Sequence, residues 1–226
     1  MKILLPIVVF KIKENMTNFL SKLFHYVLMT TIKHQIDESH GLSHSMNILT
    51  MANNIYEQEL PRCPEIQQHE NIIYVSAVLH DMCDKKYMNQ TEGLDNMQQF
   101  IKSLNVLDDK EMDAVQNIVS TMSYSYVKEH GFPDLGDYQM AYNIVREADL
   151  MCAYDFDRCM IYSMYQRRCS IEDAFDDAHA LFERRVFRHN DDGLFFTKFA
   201  QNNRIHFETG AHVRIAHWKK ILRKSI

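Results

Sequence analysis

One run constrains the fold of this chain more than any other. Residues 71–79, Asn-Ile-Ile-Tyr-Val-Ser-Ala-Val-Leu, are apolar nearly all round and end on His80-Asp81. A helix without a polar face has to be wrapped by other elements, so the run predicts a central buried helix over residues 69–83. Burying a carboxylate without a partner is expensive. Asp81 therefore points either to a cation or to backbone donors that it caps. Adjacent residues on a helix diverge by about 100°, so His80 and Asp81 reach one ion only where the helix ends, as Cys83 and Asp84-Lys85-Lys86 suggest.

The segments around this run are helical as well. With six glycines and four prolines in 226 residues, the chain has little material for a sheet-and-turn fold. Periodicity predicts a first helix over residues 17–33, with Phe19, Leu23, Tyr26, Val27 and Thr30 on one face. Residues 37–41 break it. A second helix places Leu42, Met46, Leu49, Ala52, Ile55 and Tyr56 on one side and is closed by Pro61 and Pro64. Further helices are predicted over residues 96–104, 109–122, 137–153, 155–167, 171–188 and 210–224, with a loop at Gly131, Pro133 and Gly136. Residues 190–209 carry no assignment. With no repeat and no long linker, the fold class is all-α and the domain count one, over residues 17–226. Residues 1–16 are read as a leader whose order the pattern leaves open. Its apolar run, residues 3–10, is too short to span a bilayer and contains Pro6. A strand, an ordered tail or a little-structured leader is expected there, not a membrane anchor.

Bulk chemistry narrows the function. A net charge of −5 argues against general nucleic-acid affinity, which rests on neutralising phosphates. Cys63, Cys83, Cys152, Cys159 and Cys169 form no CxxC pair and leave one over in any pairing, as expected of reduced thiols in a cytoplasmic protein.

Two further elements join His80-Asp81. His40 and His44 are four apart and are expected on one face near the start of their helix. Asp149 stands on an apolar helix among Ala141, Ile144, Val145 and Ala148, where the simpler partner is Arg146 or Arg158. Two imidazoles and two carboxylates, from His44, His80, Asp81 and Asp149, suit a borderline divalent cation, and such a cation is well fitted to activating water.

These residues resemble the HD-domain metal-dependent phosphohydrolases, all-helical proteins named for a His-Asp pair, and especially a small cytosolic and viral subgroup. His40-Gly-Leu-Ser-His44 is similar to the opening motif, whose second histidine is a ligand. Leu79-His80-Asp81 followed by Asp84-Lys85 is similar to the central motif, and the segment ending at Asp149-Leu150 to the closing one. The likeness runs over about residues 37–164, with a weaker echo to residue 200. It implies an HD-type helical bundle holding one divalent ion (Mn2+, Mg2+, Co2+, Ni2+, Fe2+ or Zn2+) on His44, His80, Asp81 and Asp149. The implied activity is hydrolysis of a phosphate ester or anhydride of a small substrate, nucleotides first, without a stable nucleic-acid complex. Asp81 is then catalytic as a ligand, Asp84 and Glu147 are candidates to take a proton, and Lys85, Lys86, Arg146 and Arg158 are candidates to bind phosphate.

Asn47 stands where the family usually carries Arg, Glu147 where it has the first Asp of the closing motif, and Met122 where some relatives have His. Only His130 lies between the central and closing motifs, in a loop, which disfavours a second metal and with it a two-iron oxygenase. Asn47 favours the alternative reading, a catalytically weak metal- or nucleotide-binding regulatory module. Ser123, Tyr124, Ser125 and Tyr126 can line a pocket. Arg184-Arg185 reads as surface or core-edge pairing, with a place for Arg185 in the pocket left open.

Overall fold

A computed structural model describes residues 4–224, with side chains described from residue 18. Its helices are α1 (Leu4–His34), α2 (Leu42–Glu59), α3 (Glu70–Leu79), α4 (Gln90–Leu104), α5 (Asp109–Thr121), α6 (Tyr124–His130), α7 (Gln139–Cys152), α8 (Phe156–Arg167), α9 (Ile171–Arg184) and α10 (Lys198–Ile221), with short 3₁₀ turns between some of them. No strand occurs among the described residues. The all-α, single-domain expectation holds.

Local chemistry sets many of the helix ends. Asp108 and Glu111 form a reciprocal capping box at the start of α5. The side chains of Asn89, Ser123, Asp155, Ser170 and Thr197 each accept a backbone N–H at the start of α4, α6, α8, α9 and α10. Asn105 and Arg168 take left-handed conformations where α4 and α8 stop.

The apolar run forms α3, and every residue from Ile72 to Leu79 is buried. It packs against α1, α2, α5 and α7, the wrapping its lack of a polar face requires. One core gathers side chains of α1–α5 and the first part of α7. A second gathers the end of α7 with α8, α9 and α10. Ala148 belongs to the first core and Leu150 to the second, so Asp149 sits on the seam between them.

Several boundaries differ from the sequence reading. Helix α1 starts at Leu4, not at residue 17, and takes in most of the stretch read as a leader. Pro6 falls in its first turn, where a missing N–H costs no intrahelical bond. Residues 1–3 lie outside the described residues. Helix α3 stops at Leu79, and α9 stops at Arg184 before a 3₁₀ turn. Helix α6 was not anticipated, and α10 begins at Lys198 in the stretch without an assignment.

Gly93 fixes how α4 meets the turn that follows His80-Asp81. A Cβ there would lie 2.9 Å from Met88 Sδ and 3.2 Å from Cys83 Cα. Gly93→Val is expected to lower stability by roughly 1–3 kcal/mol through overpacking, read from urea denaturation. An unchanged midpoint would mean that α4 packs loosely here.

Candidate metal centre

Helix α3 ends at Leu79, and His80 to Cys83 form a turn. The helical 100° spacing no longer applies there, and both side chains face one point. His80 Nδ1 lies 2.9 Å from the Ala77 carbonyl oxygen. Donating its proton to that oxygen leaves the lone pair on Nε2, directed at the centre. Asp81 Oδ2 is 3.0 Å from His80 Nε2 and 3.3 Å from His44 Nε2, and the two imidazole nitrogens are 3.2 Å apart. From α7, Asp149 Oδ1 lies 3.8 Å from His44 Nε2 and 3.9 Å from His80 Nε2.

Ligand bonds of about 2.1 Å at right angles would put donor atoms about 3.0 Å apart, and opposite donors about 4.2 Å. The separations here fall in that range. Asp81 Oδ2 is fully buried with the two imidazole nitrogens as its close polar neighbours, a setting that is costly for a carboxylate unless a positive charge meets it. His44, His80 and Asp81 together offer ligand atoms within 4.8 Å of one another. The donor set thus fits a divalent ion, and Asp149 stands beside it.

Electrostatics match this arrangement. Burial and Arg158 push His44 down to about 4, favouring the neutral form that can ligate. Burial also opposes charge on His80, but Asp81 and Asp149 outweigh it and hold His80 up at about 9. Burial would raise Asp81, yet His80 and the other histidines hold it well below the usual carboxylate range. Without an ion, a proton on His80 is the positive charge that the two carboxylates demand.

His40 does not share a helix with His44. It ends a 3₁₀ turn (Glu38–His40), and Gly41 precedes the first residue of α2, so the expected common helical face is absent. His40 instead joins a cluster with Asp37, Ser39 and Tyr87. Tyr87 Oη donates to Asp37 Oδ2 at 2.6 Å and is 3.1 Å from His40 Nδ1, and Ser39 Oγ also bonds Asp37. Arg158 Nε donates to the Ser39 carbonyl oxygen at 2.6 Å. This turn therefore ties α8 and the segment after His80-Asp81 to the start of α2. An Asp at the head of Asp-Glu-Ser-His is a helix-start signal; its partner fifty residues on carries none.

A cavity of about 500 Å³ opens beside the donors. Asp84, Lys85, Lys86 and Arg158 line it together with His80, Asp81 and Asp149. Asp84 Oδ2 lies 3.1 Å from Lys86 Nζ, and Arg158 Nη1 is 4.0 Å from Asp149 Oδ1. Tyr162 lies under Lys86 at 5.7 Å.

Two expected site residues lie elsewhere. Glu147 is fully buried and accepts from Phe196 N at 2.6 Å, Thr197 N at 3.1 Å and Thr197 Oγ1 at 2.5 Å. Two positions from Asp149, it faces roughly the opposite side of α7, and its oxygens anchor the entry to α10. It is not placed to take a proton from substrate. Arg146 is also fully buried, donating to the Leu194 carbonyl oxygen at 2.8 Å and covering the Phe132 ring at 4.8 Å. It does not reach the cavity. Glu147→Ala leaves several buried donors unpaired and is expected to cost about 3 kcal/mol, with Mn2+ affinity retained. Equal stability of the variant by urea denaturation would remove the anchor role.

The comparisons with known proteins speak to the fold. The chain is similar in fold to a Lactobacillus plantarum protein. That protein's crystal structure, a structural-genomics target, matches with a TM-score of 0.66 over 91% of this chain and 97% of the other, at 19% identity. At that identity the likeness shows the fold alone. No protein-family model matches the chain, and no curated protein does. No helix among the described residues is long and apolar enough to cross a membrane.

Proposed function

We propose that this chain is a metal-dependent phosphohydrolase, cleaving a phosphate ester or anhydride of a small substrate, with nucleotides the first class to test. The observation that carries the reading is the meeting of His44 Nε2, His80 Nε2 and Asp81 Oδ2 at 3.0–3.3 Å, with Asp149 Oδ1 3.8–3.9 Å from both imidazoles, beside a cavity whose lining includes Lys85, Lys86, Arg158 and Arg185. His44, His80, Asp81 and Asp149 would hold one divalent ion. Such an ion lowers the pKa of water and neutralises charge growing on a phosphoryl oxygen.

The chain's own residues supply the rest. Arg158, fixed through Nε to the Ser39 carbonyl, keeps its Nη groups for phosphate oxygens beside the donors. Lys86 stays charged because Asp84 and Asp81 outweigh the effect of its burial, and it adds a second cation. Asp84, which lines the cavity outside the donor set, would take the proton. Tyr124, Tyr126 and Tyr162 add aromatic surface to the same lining.

The lining carries Asp81, Asp84, Glu129 and Asp149 against Lys85, Lys86, Arg158 and Arg185. These charges balance, so a divalent ion leaves two positive charges, as a phosphorylated ligand would require.

The test is release of phosphate or pyrophosphate from nucleoside mono-, di- and triphosphates with Mn2+, Mg2+, Co2+ or Ni2+. Release by the native chain and none by Asp81→Ala is expected. No release from any pair, or equal release by the variant, would sink the hydrolase reading. If Mn2+ binds without turnover, the regulatory alternative suggested by Asn47 stands instead.

A further inference from the structure

Arg185 differs from two other cations of the cavity, Lys86 and Arg158. Lys86 has Asp84 at 3.1 Å and Arg158 has Asp149 at 4.0 Å. Arg185 lines the same cavity just past the end of α9, yet has no carboxylate within 4 Å and no hydrogen-bond acceptor among the described residues. Its close neighbour is a ring, with the guanidinium carbon 4.4 Å from the centre of Tyr124. A guanidinium stacked on an aromatic face keeps its N–H edge free in the plane, the geometry that takes a phosphate bidentately.

The stacking partner is itself held. Tyr124 Oη donates to Asp192 Oδ2 at 2.9 Å, Lys128 Nζ lies 3.6 Å from the same oxygen, and the ammonium also lies 5.6 Å from the ring centre. The ring is therefore positioned before any ligand arrives. Removing a cation partly from water without a paired anion is unfavourable, and the more distant Asp149 carboxylate offsets that cost only in part.

We infer that Arg185, stacked on Tyr124, forms a second anion subsite of the cavity, so that the ligand carries two linked phosphoryl groups. One lies at the metal donors beside Arg158 and the other against Arg185. This rests on the proposed phosphohydrolase reading and adds what that reading leaves open, the number of phosphoryl groups recognised. It assigns Arg185 to binding and specificity, and Tyr124 to positioning Arg185.

The experiment is calorimetric binding to the Mn2+-loaded chain, so that turnover is not the readout. The probes are imidodiphosphate, a two-phosphoryl ligand with a non-hydrolysable bridge, and orthophosphate. The native chain is expected to bind imidodiphosphate more tightly than orthophosphate. Arg185→Gln should weaken imidodiphosphate about tenfold or more, the scale of a lost charge-assisted pair, and leave orthophosphate within about threefold. Arg185→Lys, which keeps the charge without the planar fork, should fall between. Tyr124→Leu should follow Arg185→Gln, and Tyr124→Phe, which keeps the ring, should lose less. Thermal melting of each variant separates loss of binding from loss of fold.

If Arg185→Gln weakens both probes equally or neither, the second subsite is overturned while the hydrolase reading stands. Failure of the native chain to bind Mn2+ at the donors, or to bind either probe, overturns both.

Discussion

Asp81→Ala is expected to lower Mn2+ affinity by about a hundredfold or more, because removing even a residue that only supports a ligand commonly costs 10–100-fold. The reason lies in the geometry. Asp81 Oδ2 is the donor closest to His80 Nε2 and also lies against His44 Nε2, fully buried between them. Truncation takes away the charge that draws the cation and the oxygen that bridges both imidazoles. Calorimetric titration with Mn2+ measures this directly. A second readout is stability, since an ion at a thousand times its dissociation constant adds about 4 kcal/mol. The rise in melting temperature on adding Mn2+ should appear in the native chain and vanish in Asp81→Ala. Asp84→Asn, whose side chain faces Lys86, should keep that rise. If Asp81→Ala binds Mn2+ as the native chain does, the four-donor centre is wrong.

The second large effect is acid lability centred on His189. Its ring is fully buried among Tyr124, Tyr154 and Phe195, and neither ring nitrogen has a hydrogen-bond partner. Burial first, then Arg185 and Arg146, push it down to about 3, while Asp149 and Asp192 only partly oppose the shift. The sign follows from linkage. The unfolded histidine takes a proton near its ordinary value of about 6.5, and the folded one refuses it. Stability from this residue is therefore intact above about pH 6.5 and falls by roughly 1.4 kcal/mol per pH unit from there towards pH 3. His189→Leu should flatten the dependence of unfolding free energy on pH between about 6 and 4 by close to that slope. It also removes two unsatisfied nitrogens, so it should not destabilise strongly at neutral pH. A slope equal to the native one in urea melts across that range would show that the buried ring is protonated in the fold.

How much of this was legible in the sequence depends on how local each signal is. The apolar run 71–79 had only one way to be buried, and its abrupt end on His80-Asp81 marked the place where two adjacent side chains converge. Asp149 could be found because the residues around it on α7 are apolar, which leaves a lone carboxylate conspicuous. Glu147 and Arg146 look equally conspicuous in sequence, but their partners, Leu194, Phe196 and Thr197, lie some fifty residues away in a stretch with no periodic pattern. Helix α10 was half hidden because Gly210 reads as a break and residues 198–209 carry few apolar positions; tertiary packing against α2, α7 and α8 carries the helix through. The Asp37–Tyr87 contact and the stacking of Arg185 on Tyr124 join distant segments, and neither leaves a spacing to read.

The place of Asp149 on the seam between two cores would give a bound ion a mechanical role. His44 and His80-Asp81 belong to the side built around α3, whereas Asp149 and Arg158 lead into the side built from α8 to α10. Sliding one core against the other would pull the donors apart before either core lost its packing. A bound cation would act as a rivet across that seam, suppressing such sliding. The α8 and α10 amides should therefore gain more protection from hydrogen exchange on loading than those of α3, which its wrapping helices already shield.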